Sequence, residues 1–369
     1  MKIKTLKLEN FRLYEDASIN FNPQTNILVG KNAQGKTTII EAINVIGLTK
    51  SHKTNKDRDM IQTHKEHSKI NALINLKEKH IQLDIILSKL GKKAKYNQIE
   101  LTRLSDYIGQ LNVVMFAPED LDLIKGNPQN RRKFLDLEIG QISKEYLHNL
   151  QNYKKILKQR NDLLKTMQKT KKQDLMLLDI ITDQLITYLE LLVIKRKVFI
   201  EEINKHVNVI YKNLSKEDNN YKITYLPSLD KNYKEEFSAK YQYDIITGTT
   251  NLGIHRDDIE FHLNNHLIKT HGSQGELRTA VLSAKLALVE FIHQHKGIYP
   301  VLLLDDVLSE LDEERQNKLL TYINNKTQTI ITTTNIKDID LNKIDNYTIY
   351  EVNNGRIKES DNYGKHIWF

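Results

Sequence analysis

The 369-residue chain contains no cysteine. That excludes disulfides and cysteine-ligated zinc, and it fits a reducing cytosol. No apolar run approaches the ~20 residues that a membrane-spanning helix needs. Met1–Leu8 alternates polar and apolar residues as a strand does and has no apolar h-region. No secretory signal and no membrane partner are therefore expected, and the chain is expected to be cytoplasmic. Internal repeats and low-complexity tracts are also missing. What is present is 39% hydrophobic and 28% charged residues, over a length that suits two domains or one head with an insertion. The net charge is +8 and the pI about 9.1, a balance that favours a polyanionic partner.

The most specific stretch is Gly30-Lys31-Asn32-Ala33-Gln34-Gly35-Lys36-Thr37-Thr38, a full match to the phosphate loop G-x-x-x-x-G-K-[ST]. Gly30 and Gly35 leave the backbone free of Cβ atoms, so successive N–H groups can wrap a phosphate chain. Lys36 supplies a charge for the β- and γ-phosphates, and the Thr37 hydroxyl can bind Mg²⁺. The apolar run Ile27–Val29 precedes it as a strand, and residues 38–43 follow as a helix whose N-terminus favours an anion. The ligand expected here is ATP with Mg²⁺.

The segment up to about Gln98 reads as strands with one helix: Lys2–Leu8, Ile19–Phe21, Asn26–Val29, Lys69–Leu76 and Ile81–Leu87, the last two joined as a hairpin. Asn112–Phe116 is a further strand that Pro118 ends. Lys50, His52, Lys53, Lys56 and Arg58, then Lys89, Lys92, Lys93 and Lys95, read as solvated loops. From residue 128 to 216 the pattern turns helical. One stripe runs through Leu150, Tyr153, Leu157, Leu164 and Met167, with Arg160 breaking it. A second runs from Leu178 to Ile210. The polar break Thr170–Asp174 predicts an antiparallel helical hairpin, its first arm roughly 40 Å long, or else a compact helical subdomain. Between Lys154 and Lys172 lie eight basic residues and one acid, a net +7 close to the break. They form either a solvated face or a nucleic-acid contact. Residues 218–242 predict a strand at Tyr221–Tyr225 and a connection. Residues 259–268 predict a β-hairpin turning at Asn264-Asn265, which explains the flanking His262 and His266 better than a metal site does.

A phosphate loop needs a metal-holding carboxylate on a neighbouring strand. Val301-Leu302-Leu303-Leu304-Asp305-Asp306 provides a buried strand with two acids at its C-terminal end. Asp305 is placed to hold the metal, Asp306 to orient or deprotonate the attacking water. Upstream, Ser273 and Gly275 open an amphipathic helix, Leu277–His293, as a second anion-binding helix start. One nucleotide rarely needs both starts from one subunit. The Lys36 loop of one copy is therefore expected to face the Ser273 turn of another in a head-to-tail homodimer.

Taken in order, the phosphate loop, the Ser-x-Gly-Glu turn, the Asp305-Asp306 strand and Ser309-Glu310-Leu311-Asp312 resemble the ATP-binding-cassette ATPases, within them the chromosome-maintenance and double-strand-break-repair branch. Further blocks are similar to the RecF family: Leu8–Arg12, Glu41–Ile43, Ser51–Thr54, Phe116–Leu121, Gly126–Pro128 with Arg131-Arg132, and Gly253–Asp258. The resemblance implies an α/β, P-loop ATPase head with an inserted helical hairpin: residues 1–125 and 243–369 as head, 126–242 as arm. It implies an ATP-dependent, weakly hydrolysing, DNA-stimulated ATPase that acts in replication and repair at single-strand gaps and stalled forks. RecR and RecO are the implied partners, with RecA loading and the SOS response downstream. By position, residues Gly30 to Thr38 meet ATP, Thr37 and Asp305 the metal, Ser273 and Gly275 the partner copy's nucleotide, and Lys36 and Asp306 serve catalysis. Arg12 matches a nucleotide-contacting arginine of related repair ATPases. Three departures stand out: Ile254 replaces a usual proline, Pro118-Glu119 stands where transporter ATPases carry glutamine, and Thr329–Thr334 ends without the histidine that senses the γ-phosphate. A transporter's ATPase subunit and a nucleotide kinase are the competing classes. The long interval from Thr38 to Ser273 counts against the first, and the Ser-x-Gly-Glu turn against the second.

Overall fold

A computed structural model describes residues 1–77, 79–215 and 217–360. Backbone contacts divide the chain into two units. One comprises Met1–Asp120, Lys212–Glu217 and Leu282–Phe369; the other comprises Leu121–Tyr211 and Asp218–Val281. By this division residues 243–281 group with the helical insertion. In chain order the elements are β1 (Lys2–Phe11), β2 (Tyr14–Asn20), β3 (Thr25–Val29), α1 (Lys36–Leu48), β4 (His67–Leu76), β5 (Lys79–Ser88), β6 (Gly91–Tyr96), β7 (Ile99–Glu100), a single turn α2 (Leu104–Tyr107) and β8 (Val113–Phe116). Next come α3 (Asp122–Lys125), α4 (Pro128–Gly140), α5 (Lys144–Thr170), α6 (Leu175–Leu214), β9 (Tyr221–Leu226), α7 (Tyr233–Thr247), β10 (Asp258–Leu263), β11 (His266–Leu267), α8 (Ile268–His271) and α9 (Gln274–Lys296). The chain closes with β12 (Val301–Asp305), α10 (Glu313–Ile323), β13 (Thr329–Thr333), β14 (Tyr347–Asn353) and β15 (Arg356–Glu359).

The first unit contains two six-stranded sheets. Strands β2-β1-β4-β5-β6-β7 form an antiparallel one, and β15-β14-β3-β13-β12-β8 the other, parallel from β14 to β8. Helix α1 is apolar nearly all round (Ile39, Ile40, Ala42, Ile43, Val45, Ile46), the pattern of a helix with no solvent face. It shares one buried cluster with Leu6 and Phe11 of β1, Ile85 of β5, Leu303 of β12 and Ile330 of β13. All five residues of β12 are buried, as a central parallel strand requires.

Two expectations change here. The strand carrying Asp305 is not the neighbour of β3: β13 lies between them. Strand order is set by long-range pairing that no local pattern encodes. Lys92, Lys93 and Lys95 are not loop residues but belong to β6, which pairs with β5. Its single buried position, Ala94, is too small to signal a strand among lysines. Lys92 also forms an ion pair with Asp57 at 2.9 Å.

In the second unit, α5 (27 residues) and α6 (40 residues) run antiparallel: Arg196 Nε donates to Tyr146 Oη (3.0 Å) and Arg160 Nε to Thr182 Oγ1 (2.9 Å). Lys216, the expected end of this stretch, lies outside the described residues. The strand at Tyr221 is present as β9, but the expected connection after it contains a helix, α7. Arg160 does not break the stripe. It is fully buried, donating through Nη1 to Asp244 and Thr250 (both 2.8 Å), with its guanidinium 5.2 Å from the Phe237 ring centroid. A stem that long is accepted inside because α7 brings its counter-ion. The Asn264-Asn265 hairpin is as expected, both residues having positive φ (49° and 68°).

The blocks at 126–132 and 253–258 meet in this unit. Asn127 caps α4 with Pro128 at its first turn, and Arg131 makes a two-pronged pair with Asp258 at 2.6 and 2.9 Å. Arg196 donates to Asp257 (2.7 Å), Asp136 (2.8 Å) and the Ile254 carbonyl (2.9 Å).

Candidate nucleotide-binding site

The loop between β3 and α1 takes its shape from two glycines. A Cβ on Gly30 would stand 2.2 Å from the Val352 carbonyl oxygen of β14. Gly35 has φ 116°, and a Cβ there would stand 2.6 Å from Tyr14 Oη. With Ala33 also at positive φ (64°), residues 32–38 curl around one concavity at the start of α1, a setting suited to an anion. The C-terminal hairpin buttresses it: Asn354 N–H donates to Gln34 Oε1 (2.7 Å) and Gly355 N–H to the Gln34 carbonyl (3.2 Å).

A cavity of about 220 Å³ opens over this loop, lined by Leu13, residues 32–38, Lys53, Asp306 and Thr332. Lys36 is buried. Its ammonium donates to the carbonyls of Gly30 and Lys31 (2.8 Å for the latter), so it is already aimed across the concavity. Burial lowers its pKa, and the nearby Asp306 and Asp305 carboxylates oppose that shift. Behind the lining residues Thr37 and Thr332, the buried Asp305 Oδ1 accepts from Thr37 Oγ1 (2.9 Å) and from Thr332 Oγ1 (2.8 Å). Burial raises the Asp305 pKa, while the two hydroxyl bonds pull it back. A hydroxyl and a carboxylate oxygen so close together are the hard donors that Mg²⁺ takes, so the residues fit the metal. Asp306 has φ 55°, and its N–H is held by Thr332 Oγ1 (2.9 Å). Its Oδ1 is buried without a hydrogen-bond partner among the described residues. Intervening strand β13 thus serves the site through Thr332, a residue hidden among the threonines at 329 and 332–334.

Arg12 does not itself line the cavity, although the next residue, Leu13, does. It grips Glu41 with Nε (3.0 Å) and Nη2 (2.6 Å), and Nη1 donates to the Asp59 carbonyl (2.7 Å). Ser273 and Gly275 lie in the second unit, at the start of α9. There Ser273 and Glu276 form a reciprocal capping box: Glu276 N–H donates to Ser273 Oγ (3.2 Å) and Ser273 N–H to Glu276 Oε2 (2.7 Å). Ser273 is exposed. Of the residues expected in solvated loops, Lys53 lines the cavity, and the two ring nitrogens of His52 are buried.

A phosphate loop on a parallel sheet, with a carboxylate pair two strands away and an all-antiparallel sheet beside it, defines an ATPase head of the ATP-binding-cassette type. The family model described as the RecF/RecN/SMC N terminal domain matches residues 2–358. Similarity runs along nearly the whole chain to the DNA replication and repair protein RecF of Oceanobacillus iheyensis (43% identical over 366 residues, 96% of this chain and 99% of that protein). The Bacillus subtilis protein of the same name is 42% identical over 368 residues, covering 97% of this chain and all of its own. The chain belongs to the RecF family. Among solved structures, the recombination mediator protein RecF with ATP superimposes with a TM-score of 0.90 at 28% identity, covering 97% of both chains. The Smc head domain of Pyrococcus furiosus superimposes with a TM-score of 0.57 at 18% identity, covering 97% of this chain and 96% of that one, a likeness of fold.

Proposed function

We propose that this protein is an ATP-gated DNA-binding recombination mediator that hydrolyses ATP slowly. The observation that carries the reading is the join between Thr37 and Asp305: the phosphate loop and Asp306 line one cavity, and the lining residue Thr37 bonds the buried Asp305 carboxylate just behind it, a pair of oxygens suited to a metal. When bound, Mg²⁺ supplies charge neutralisation at the β- and γ-phosphates. Lys36 and the loop N–H groups bind and orient the phosphate chain, and Asp306 holds the attacking water. The names of the relatives support a role in DNA replication and repair, and the solved relative's description as a mediator of the RecFOR pathway supports RecR and RecO as partners. RecA loading at single-strand gaps and a part in the SOS response extend that reading. The exposed Ser273 turn, with the N–H groups that begin α9, supports its docking on a second copy's nucleotide in a head-to-tail dimer. The domain organisation is proposed as head, helical arm and head, with residues 1–125, 126–242 and 243–369, and the location as the cytoplasm.

Sedimentation with and without ATP, on duplex, single-stranded and gapped DNA, tests the reading. ATP-dependent dimers that retain DNA are expected. A chain that stays monomeric at saturating ATP and gapped DNA contradicts it, and so does an ATPase rate that DNA leaves unchanged.

Asp306→Asn keeps the shape of the side chain but weakens it as a base. It is expected to bind ATP, to lower turnover by about 10²-fold or more, and to accumulate dimers. Steady-state ATP hydrolysis with native mass spectrometry measures both, and normal turnover removes Asp306 from the chemistry. The second prediction concerns Lys169, Lys171 and Lys172, which are exposed at the end of α5. Reversing their charge is expected to weaken DNA binding and to flatten its salt dependence by about 0.9 in log–log slope for each phosphate no longer neutralised. An unchanged slope makes them a solvated face.

A further inference from the structure

Three buried polar atoms have no hydrogen-bond partner among the described residues and belong to the cavity lining or to its immediate chain neighbour: Oδ1 of Asp306, which lines the cavity, and Nδ1 and Nε2 of His52, next in the chain to the lining residue Lys53. Leaving a buried donor or acceptor unmade costs roughly 1–3 kcal/mol, so three such atoms in one neighbourhood point to a group that completes them. His52 follows Ser51, whose hydroxyl donates to Glu41 Oε1 (2.5 Å) and accepts from the N–H groups of Lys53 (2.9 Å) and Thr54 (3.2 Å). That turn fixes the backbone on both sides of His52 and sets Lys53 into the cavity lining. The imidazole lies within electrostatic reach of Glu41, Asp305 and Glu119.

Two of these carboxylates are engaged elsewhere. Both Glu41 oxygens are taken by Arg12 and Ser51, and Asp305 Oδ1 by Thr37 and Thr332. An imidazole has one donor and one acceptor nitrogen when neutral, and two donors when charged. Either form finds its missing partners in a phosphate oxygen, or in water ordered by one. At the position usual for a γ-phosphate-sensing histidine this chain has Thr334 and Asn335 instead, and Asn335 is engaged locally: its N–H donates to Thr333 Oγ1 (3.2 Å), and its Oδ1 accepts from Lys337 N–H (3.1 Å).

We infer that His52, from the loop after α1, is the residue that registers the third phosphate, bonding the γ-phosphoryl group or the water it orders opposite Asp306. It is a positioning residue: it tells triphosphate from diphosphate and passes the difference to the Ser51–Thr54 turn. This rests on the reading of the cavity as an ATP site.

The test compares the full-length protein with His52→Ala and His52→Gln, measuring binding of fluorescent ATP and ADP analogues with Mg²⁺ present, with thermal melting alongside. The ratio of ATP to ADP affinity is measured first in the wild type; if neither nucleotide binds, the ATP-site reading fails and this inference with it. If ATP binds, His52→Ala is expected to lose about tenfold in ATP affinity, one charge-assisted hydrogen bond, with ADP affinity unchanged. His52→Gln, which keeps one donor and one acceptor, is expected to recover part of the loss. Equal losses for both nucleotides, or an unaltered ratio in both variants, overturn the inference. If His52→Ala melts before it can be measured, the ratio in His52→Gln decides: a value between wild type and parity supports the role, and an unchanged value refutes it.

Discussion

Lys36→Ala is expected to abolish ATP binding at micromolar nucleotide, and with it every ATP-dependent interaction with DNA. The ammonium is buried, held over the loop by the Gly30 and Lys31 carbonyls, and near two carboxylates. Its position is thus set before any ligand arrives, so little ordering entropy remains to be lost on binding. Hydrogen bonds to charged groups contribute about 1.5–3 kcal/mol each. Two of them, to the β- and γ-phosphates, amount to more than about 3 kcal/mol, a loss of at least two orders of magnitude in affinity when the side chain is cut back. Removing the ammonium also leaves Asp305 and Asp306 beside the incoming phosphates with less positive charge to offset them. Isothermal titration with ATP measures the effect. A variant that binds within a few-fold of the wild type would show that the loop N–H groups suffice, and would remove Lys36 from its assigned role.

Arg196→Leu is expected to destabilise the helical unit by about 3–5 kcal/mol, the cost of stranding buried carboxylates when their partner is removed. Arg196 and Asp257 are each 1% exposed, and the same guanidinium also serves Asp136, Tyr146 and the Ile254 carbonyl. Lysine does not replace it, since one ammonium cannot reach acceptors spread along a planar fork. Urea unfolding followed by far-ultraviolet circular dichroism gives the value, and a loss under about 1 kcal/mol contradicts the account. Asp136 supplies a pH signature. Burial pushes its carboxyl pKa up, but Arg196, Lys154 and the Tyr146 hydroxyl outweigh burial, and the net direction is down. A carboxylate with a depressed folded-state pKa adds stability above its unfolded pKa, and loses it as pH falls through the folded one. The wild type therefore loses this contribution on the acid side of the ordinary carboxylate range. In Arg196→Leu the loss is expected to be smaller there, because the pull on Asp136 has gone.

How much of this was legible in advance differs by kind of residue. The phosphate loop was readable because its glycines, lysine and threonine sit within nine consecutive positions, each fixed by local chemistry. Strand β12 was readable from four apolar residues ending in two acids, and α5 and α6 from their stripes. Helix α7 was not: it packs through Phe237, Asp244 and Ile245, and one of its main partners is the buried charge of Arg160, which reads as a solvent residue. Strand β6 hid behind its lysines. What joins the site was invisible for another reason. The hydroxyl of Thr37 meets a carboxylate 268 positions away, and Thr332 lies on a strand whose place in the sheet depends on pairing alone. His52 looks like a surface residue because its neighbours are basic, and only packing shows which of them turns inward.

The order of strands in the parallel sheet has a consequence for biosynthesis. Strand β3 leaves the ribosome among the first residues, but both its flanking strands, β13 and β14, are among the last. At about 5–20 residues per second, its unpaired backbone edges wait tens of seconds for them. During that interval neither Asp305 nor the Asn354-Gly355 turn exists to finish the phosphate cradle. The cradle that the proposed function assigns to triphosphate is therefore complete only as translation ends. The same delay leaves the backbone edges of β3 unpaired while the chain is being made, a state in which strands are prone to pair with other chains.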